Sequence, residues 1–172
     1  AHNSSDVVIL GGLVGYIDDT CAHNPFDFLY QLHEAGAWDT LDAVAFHPYW
    51  GSNQPETILP RGPEHNPASG VCYPNSEVQY KLVEEIQALH ALINDLSPKP
   101  IWITEIGWSK SSLAEWAGYR GTEPDQVQAD YLVRSYVPLL AEPGVETVMW
   151  YTQVDDPGDP SGEFRLNALG RQ

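Results

Sequence analysis

The sequence predicts an α/β fold in which parallel strands alternate with helices. Short, mostly apolar runs recur four times along the 172 residues, and stretches with apolar residues at helical spacing lie between them. The residues that follow the runs are dense in polar and aromatic side chains. Strands that alternate with helices pair parallel through right-handed crossovers, and parallel sheets carry their sites at the strands' carboxyl ends. Length alone suits about one domain, residues 1–172.

The first run, Val7-Val8-Ile9-Leu10, is closed by Gly11-Gly12. An uninterrupted run of this kind suits a strand buried on both faces. Asn24-Pro25 is a helix start, an N-cap followed by a proline with no N–H to lose, and Phe28, Leu29 and Leu32 continue at helical spacing to Gly36. The second run is Ala43-Val44-Ala45-Phe46, followed by a long loop rich in Pro, Gly and Asn. A helix is expected to open at Ser76, with Gln79 three residues on, because Val78, Leu82, Ile86, Leu89, Ile93 and Leu96 form one stripe. Ser97-Pro98 stops it.

The third run, Ile101-Trp102-Ile103-Thr104, leads through a loop containing Ser and Gly to a helix starting near Thr122-Glu123-Pro124, with Val127, Tyr131, Ser135 and Leu139 along one face and Pro138 as its kink or end. The fourth, Thr147-Val148-Met149-Trp150-Tyr151, follows Pro143-Gly144. No linker or short-period repeat divides the chain.

Composition narrows the function. Eight Lys and Arg against 24 Asp and Glu leave a net charge of −16, which excludes the clustered cations that bind nucleic-acid phosphates and opposes an anionic membrane surface. A hydrophobic fraction of 42% with 11% aromatics is enough for a core. No apolar run is long enough to span a membrane, and Ala1-His2-Asn3-Ser4-Ser5 has no signal-peptide pattern, so the compartment stays open. Cys21 and Cys72 are either one bridge between two loops or two reduced thiols. Gly11-Gly12-Leu13-Val14-Gly15 lacks the spacing of a phosphate loop, and Asp18-Asp19 after it opposes phosphate, so no nucleotide cofactor is expected. The run from Asp155 to Glu163 does not have calcium-loop spacing and reads as a solvated acidic loop.

Four parallel strands make either a small doubly wound sheet or half of a (β/α)₈ barrel. The strand ends decide between them: His47-Pro48-Tyr49-Trp50, Glu105-Ile106-Gly107-Trp108 and Trp150-Tyr151-Thr152-Gln153 bring a carboxylate, an imidazole, a phenol and several indoles to one rim. Flat aromatic faces stack on sugar rings while polar groups handle hydroxyls and proton transfer, so the combination reads as a carbohydrate site.

Phe46-His47-Pro48-Tyr49, Trp102-Ile103-Thr104-Glu105-Ile106-Gly107-Trp108 and Val148-Met149-Trp150-Tyr151 resemble the last strands of retaining glycoside hydrolases of the (β/α)₈ clan A, most of all family 39 and related family 5-type enzymes. Leu32 to Tyr49 resembles the entry into barrel strand six, and Val8 to Leu13 barrel strand five. The resemblance implies Glu105 as the catalytic nucleophile, Tyr49 as its hydrogen-bond partner, His47 as a rim histidine near nucleophile or substrate, and Trp150 as the floor beneath the reacting sugar. Trp50 and Trp108 are candidate sugar-subsite residues, whereas Trp102 is read as packing. The alternative for Glu105 is a structural strand-end carboxylate, and for His47 an imidazole satisfied by a neighbouring group.

The likeness covers barrel strands five to eight, about half of a fold that takes about 250 residues. The general acid/base of such enzymes is a Glu preceded by Asn on barrel strand four, and no Asn-Glu dipeptide occurs here. Retaining hydrolysis needs two carboxyl groups about 5 to 5.5 Å apart, so the attacker is present without its partner. The expectation is a half barrel, inactive or weak alone, completed by its other half or by a second copy in a homodimer. The alternatives are an active homodimeric glycosidase and a sugar-binding remnant without catalysis. The expected ligand is a glycoside or oligosaccharide of unspecified sugar, and the two-carboxylate chemistry requires no metal or other cofactor.

Overall fold

A computed structural model describes residues 6–15, 25–60, 64–66, 71–73, 79–115 and 123–152 together with Phe164. In chain order the elements are β1 (Leu13–Val14), α1 (Pro25–Glu34), β2 (Val44–His47), β3 (Leu59–Pro60), β4 (Glu64–Asn66), β5 (Val71–Tyr73), β6 (Gln79–Tyr80), α2 (Leu82–Leu96), β7 (Ile101–Ile106), α3 (Lys110–Glu115), α4 (Pro124–Ala141) and β8 (Val145–Trp150). The main sheet runs β1-β2-β7-β8 with every neighbouring pair parallel. This is the predicted α/β architecture, a parallel sheet of the kind found in part of a (β/α)₈ barrel.

Burial follows from position in that sheet. Val44, Ala45 and Phe46 of β2 and Ile101, Ile103 and Ile106 of β7 are buried, because both strands have sheet neighbours on either side. Helix α2 lays Leu82, Ile86, Leu89 and Ile93 against them, one stripe at helical spacing. Leu29 of α1, Trp38 after it, and Val127, Tyr131 and Leu139 of α4 complete the core. No helix among the described residues is long and apolar enough to cross a membrane.

The first run departs from expectation. Ile9 makes a single parallel bridge to Ala43, and the ladder proper begins at Leu13, which pairs with Phe46. Val7 is 61% exposed and Ile9 36%, so the run is not buried on both faces. Among the described residues it lies on the outer edge of the sheet, where one side has no strand to cover it. The second helix also starts later than the stripe suggested: Gln79 and Tyr80 pair antiparallel with Pro60 and Leu59, and the helix opens at Leu82. There the Glu84 carboxylate accepts the Lys81 backbone N–H at 2.8 Å, a cap from the third helical residue. A strand's own hydrogen bonds thus displaced the extra turn that periodicity allowed.

The long loop after β2 folds back on itself in two short antiparallel pairs, β3 with β6 and β4 with β5, and the loop after β7 holds α3. Neither was expected. Helix α4 carries Pro138 in its last turn and ends at Ala141. Ser76, Cys21, the side chain of Cys72 and the run from Asp155 to Glu163 lie outside the described residues.

Candidate active site

The parallel strands end at one rim. β2 ends at His47, β7 at Ile106 and β8 at Trp150, with Phe46 level with Ile103 and Ile106 level with Trp150. Between Ile103 and Ile106 the β7–β8 register shifts, and Thr104 and Glu105 fall in that irregular stretch. A local break in pairing re-aims side chains at a strand end, which is how this rim acquires a carboxylate inside a six-residue apolar strand.

Glu105 is met from the neighbouring loop. The Tyr49 hydroxyl donates to its Oε2 at 2.6 Å, and His47 Nδ1 stands 3.6 Å from the same oxygen, too long for a hydrogen bond. His47 Nε2 shares a hydrogen bond with Thr104 Oγ1 at 2.9 Å, which fixes the ring beside the carboxylate. The ring also lies over Gly12 so closely that a Cβ there would stand 2.0 Å from Nε2. A glycine immediately before β1 is therefore what leaves room for the imidazole.

The electrostatics of the pair have a clear direction. The Tyr49 phenol is held well above the ordinary tyrosine range, first by burial, then by its hydrogen bond to Glu105, the charge of Glu105 and the nearby Tyr151. A phenolate beside a carboxylate in a poorly solvated place is doubly disfavoured, so Tyr49 stays a donor. Glu105 retains 36% of its side-chain exposure and faces the rim. Among the described residues its Oε1 accepts no hydrogen bond, so one oxygen is held and the other is left open.

The aromatic residues divide sharply. Trp150 is partly buried, donates its indole N–H to the Phe164 carbonyl at 2.9 Å, and lies 6.0 Å from the Trp108 ring and 6.4 Å from Tyr136. Burial pushes the Tyr136 phenol up to about 12. Trp50 and Trp108, expected as subsite residues, are 1% and 0% exposed. Their indole N–H groups donate to Thr57 O at 3.1 Å and Asn53 O at 2.8 Å, so both pin the folded-back loop to the core and offer no face to a sugar. Trp102 is partly buried, donating to Glu146 at 3.2 Å.

Two participants had no useful signal in the sequence. Thr104 stood in the motif as a strand residue, and only its register opposite β2 shows it as the His47 partner. Phe164 follows an acidic stretch, yet its ring stands 6.2 Å from Tyr49 and 5.6 Å from Tyr151, edge on to each. Among the described residues no group of three or more His, Cys, Asp or Glu side chains is placed to hold a metal ion.

No protein-family model matches the chain, and no curated protein sequence matches it. Solved structures do. A GH128 (subgroup II) endo-β-1,3-glucanase from Sorangium cellulosum aligns with a TM-score of 0.51 at 18% identity, over 96% of this chain and 53% of its own. A GH128 (subgroup I) endo-β-1,3-glucanase from Amycolatopsis mediterranei, in complex with laminaritriose and laminaribiose, gives 0.48 at 21% identity, over 95% of this chain and 55% of its own. The chain thus spans about half the length of the solved enzymes it matches. At such identities likeness speaks for fold alone, and the shared fold is the parallel β/α arrangement of part of a (β/α)₈ barrel.

Proposed function

We propose that this chain is the nucleophile-bearing half of a retaining glycoside hydrolase, with Glu105 as nucleophile. The observation that carries the reading is the 2.6 Å hydrogen bond from Tyr49 to Glu105 Oε2 at the carboxyl end of a parallel strand. A structural carboxylate would be saturated with partners, whereas this one is held by one oxygen and turned to the rim with the other. In the reaction, Oε1 attacks the anomeric carbon, the bond from that carbon to the leaving oxygen breaks, and the leaving oxygen takes a proton from a general acid. Tyr49 keeps Oε2 fixed, so the attacking oxygen is already oriented. Water then releases the sugar from the ester.

The second carboxyl belongs to the other half of the barrel. Support for that completion comes from the two outer edges of the sheet, where Val7, Ile9 and Val14 on one side and Met149 on the other are exposed. Completion by a second copy would pair β1 of each chain with β8 of the other, and molar mass in solution decides it: a two-chain mass is expected, and a one-chain mass overturns the homodimer. The fold likeness falls on a GH128 enzyme, so the proposal keeps the barrel and its strand-end carboxylate and is not tied to family 39 or family 5. A β-1,3-linked glucan is the first substrate to test, that being what the Sorangium enzyme acts on.

The test is covalent trapping with 2,4-dinitrophenyl 2-deoxy-2-fluoro-β-glucoside, whose leaving group departs without protonation and so does not call on the missing acid. Intact mass should rise by one fluoroglucosyl unit, mapped by fragmentation to Glu105 and lost in Glu105→Gln. No adduct, or an adduct on another residue, overturns the assignment.

A further inference from the structure

Beside the Glu105–Tyr49 pair a cleft of about 310 Å³ opens among Tyr49, Gly51, Gly107, Ser109, Ser112 and Phe164. Its residues come from three stretches of chain: Tyr49 and Gly51 follow β2, Gly107, Ser109 and Ser112 follow β7, and Phe164 lies beyond β8. All three leave the carboxyl ends of parallel strands, the face on which barrels bind substrate. The volume lies near the lower bound of small-ligand pockets, about 300 Å³, enough for one sugar ring rather than a chain.

The chemistry of the walls is specific. Tyr49 belongs to both places, its hydroxyl on Glu105 and its ring in the cleft, so a ligand here lies directly alongside one at the carboxylate. Phe164 is seated edge on between Tyr49 and Tyr151, and its carbonyl is held by the Trp150 indole at 2.9 Å. That anchor is backbone, so the ring's position does not depend on its own side-chain bonds. At Gly107 a Cβ would stand 2.3 Å from the Tyr151 carbonyl oxygen, which shows how closely the ends of β7 and β8 approach beneath the cleft. Ser109 is 4% exposed, with its hydroxyl engaged by the Ser112 N–H at 3.1 Å and the Ser111 hydroxyl at 2.8 Å. Ser112 is exposed at the mouth, where its Oγ accepts from the Ser109 hydroxyl at 3.2 Å and its own O–H is left to donate.

We infer that this cleft is a sugar subsite next to the reacting one, taking a single pyranose unit of an oligosaccharide with its apolar C–H face on Phe164 and a hydroxyl on Ser112. An aromatic ring beside an exposed hydroxyl, with little else polar, suits the two unlike faces of a pyranose. The inference rests on the carbohydrate reading of Glu105, yet binding here does not require Glu105 to attack anything.

The test is titration calorimetry of the full chain with β-1,3-linked glucose oligomers of two to six units. Affinity should rise once an oligomer is long enough to occupy both places. Phe164→Ala should weaken oligomers that span both places, from two units upward, by about three- to tenfold, from the usual worth of one aromatic contact. Ser112→Trp fills the cleft from an exposed position without touching the core and should do the same, which covers the case of a Phe164→Ala chain that folds poorly. Unchanged affinity in Ser112→Trp, or no oligomer binding by the parent chain, overturns the subsite. If Glu105→Gln abolishes trapping while neither rim variant alters binding, the subsite fails and the nucleophile stands. If both variants weaken binding but no Glu105 adduct forms, the reverse holds.

Discussion

Replacing Trp108 by Phe should cost stability and leave sugar contacts untouched. The indole is fully buried, 5.3 Å from the Tyr131 ring and 6.0 Å from Trp150, and its N–H donates to Asn53 O at 2.8 Å. Phenylalanine keeps most of the apolar contact but removes about 50 Å² of ring, which at about 25 cal/mol per Å² is ~1.3 kcal/mol. It also removes the hydrogen bond, for about 1 kcal/mol more. The sum is about 2 to 3 kcal/mol including partial collapse of the void, or a fall in Tm of about 5 to 10 °C for a chain of this size. Urea unfolding followed by tryptophan fluorescence and by far-ultraviolet circular dichroism should show a lower midpoint with an unchanged m value. A loss below about 0.5 kcal/mol together with weakened oligosaccharide binding would refute the reasoning and return Trp108 to the rim.

The other predictions concern the site and its supports. Tyr49→Phe deletes a charge-assisted hydrogen bond at a carboxylate still about a third exposed, so trapping at Glu105 should slow by up to about tenfold, with circular dichroism unchanged; an unaltered rate would remove Tyr49 from the mechanism. Because the folded Tyr49 phenol is raised above the unfolded value of 10.0, its stabilising share is fully present below about pH 10 and is lost as pH rises beyond it. At pH 11 the parent chain and Tyr49→Phe should therefore show equal phenolate absorbance at 295 nm, and an extra tyrosinate in the parent would contradict the buried donor. Gly107→Ala puts a methyl group 2.3 Å from the Tyr151 carbonyl oxygen, a backbone atom that cannot swing aside, so the chain should lose about 2 kcal/mol or more in thermal unfolding; a neutral substitution would mean that β7 and β8 are not so closely held.

Much of the architecture was legible because local order reads directly in residue pattern. The β2 and β7 runs are short and mostly apolar, and both became central strands; the Leu82 to Leu96 stripe became one buried helix face. The error at the first run has the same origin, since an apolar run announces a strand but not whether a neighbour covers it. The extra helical turn expected from Ser76 shows a further limit: Gln79 and Tyr80 fit a helix by period and pair with Pro60 and Leu59 by long-range hydrogen bonding.

The site divides along the same line. Residue types at strand ends sufficed to bring Glu105, Tyr49 and His47 to notice, because a parallel sheet delivers every strand's end to one rim. By itself, then, the sequence determined the α/β order, the rim and the chemical groups on it. Only the tertiary structure decided which aromatic rings face solvent, with Trp50 and Trp108 drawn inward by backbone carbonyls and Phe164 brought to Tyr49 from beyond β8. It also set the β7–β8 register shift around Glu105 and the clearance over Gly12 that admits His47. The physical reason is range: periodicity and capping are settled between residues a few positions apart, whereas burial, register and approach depend on contacts between segments separated by tens of residues.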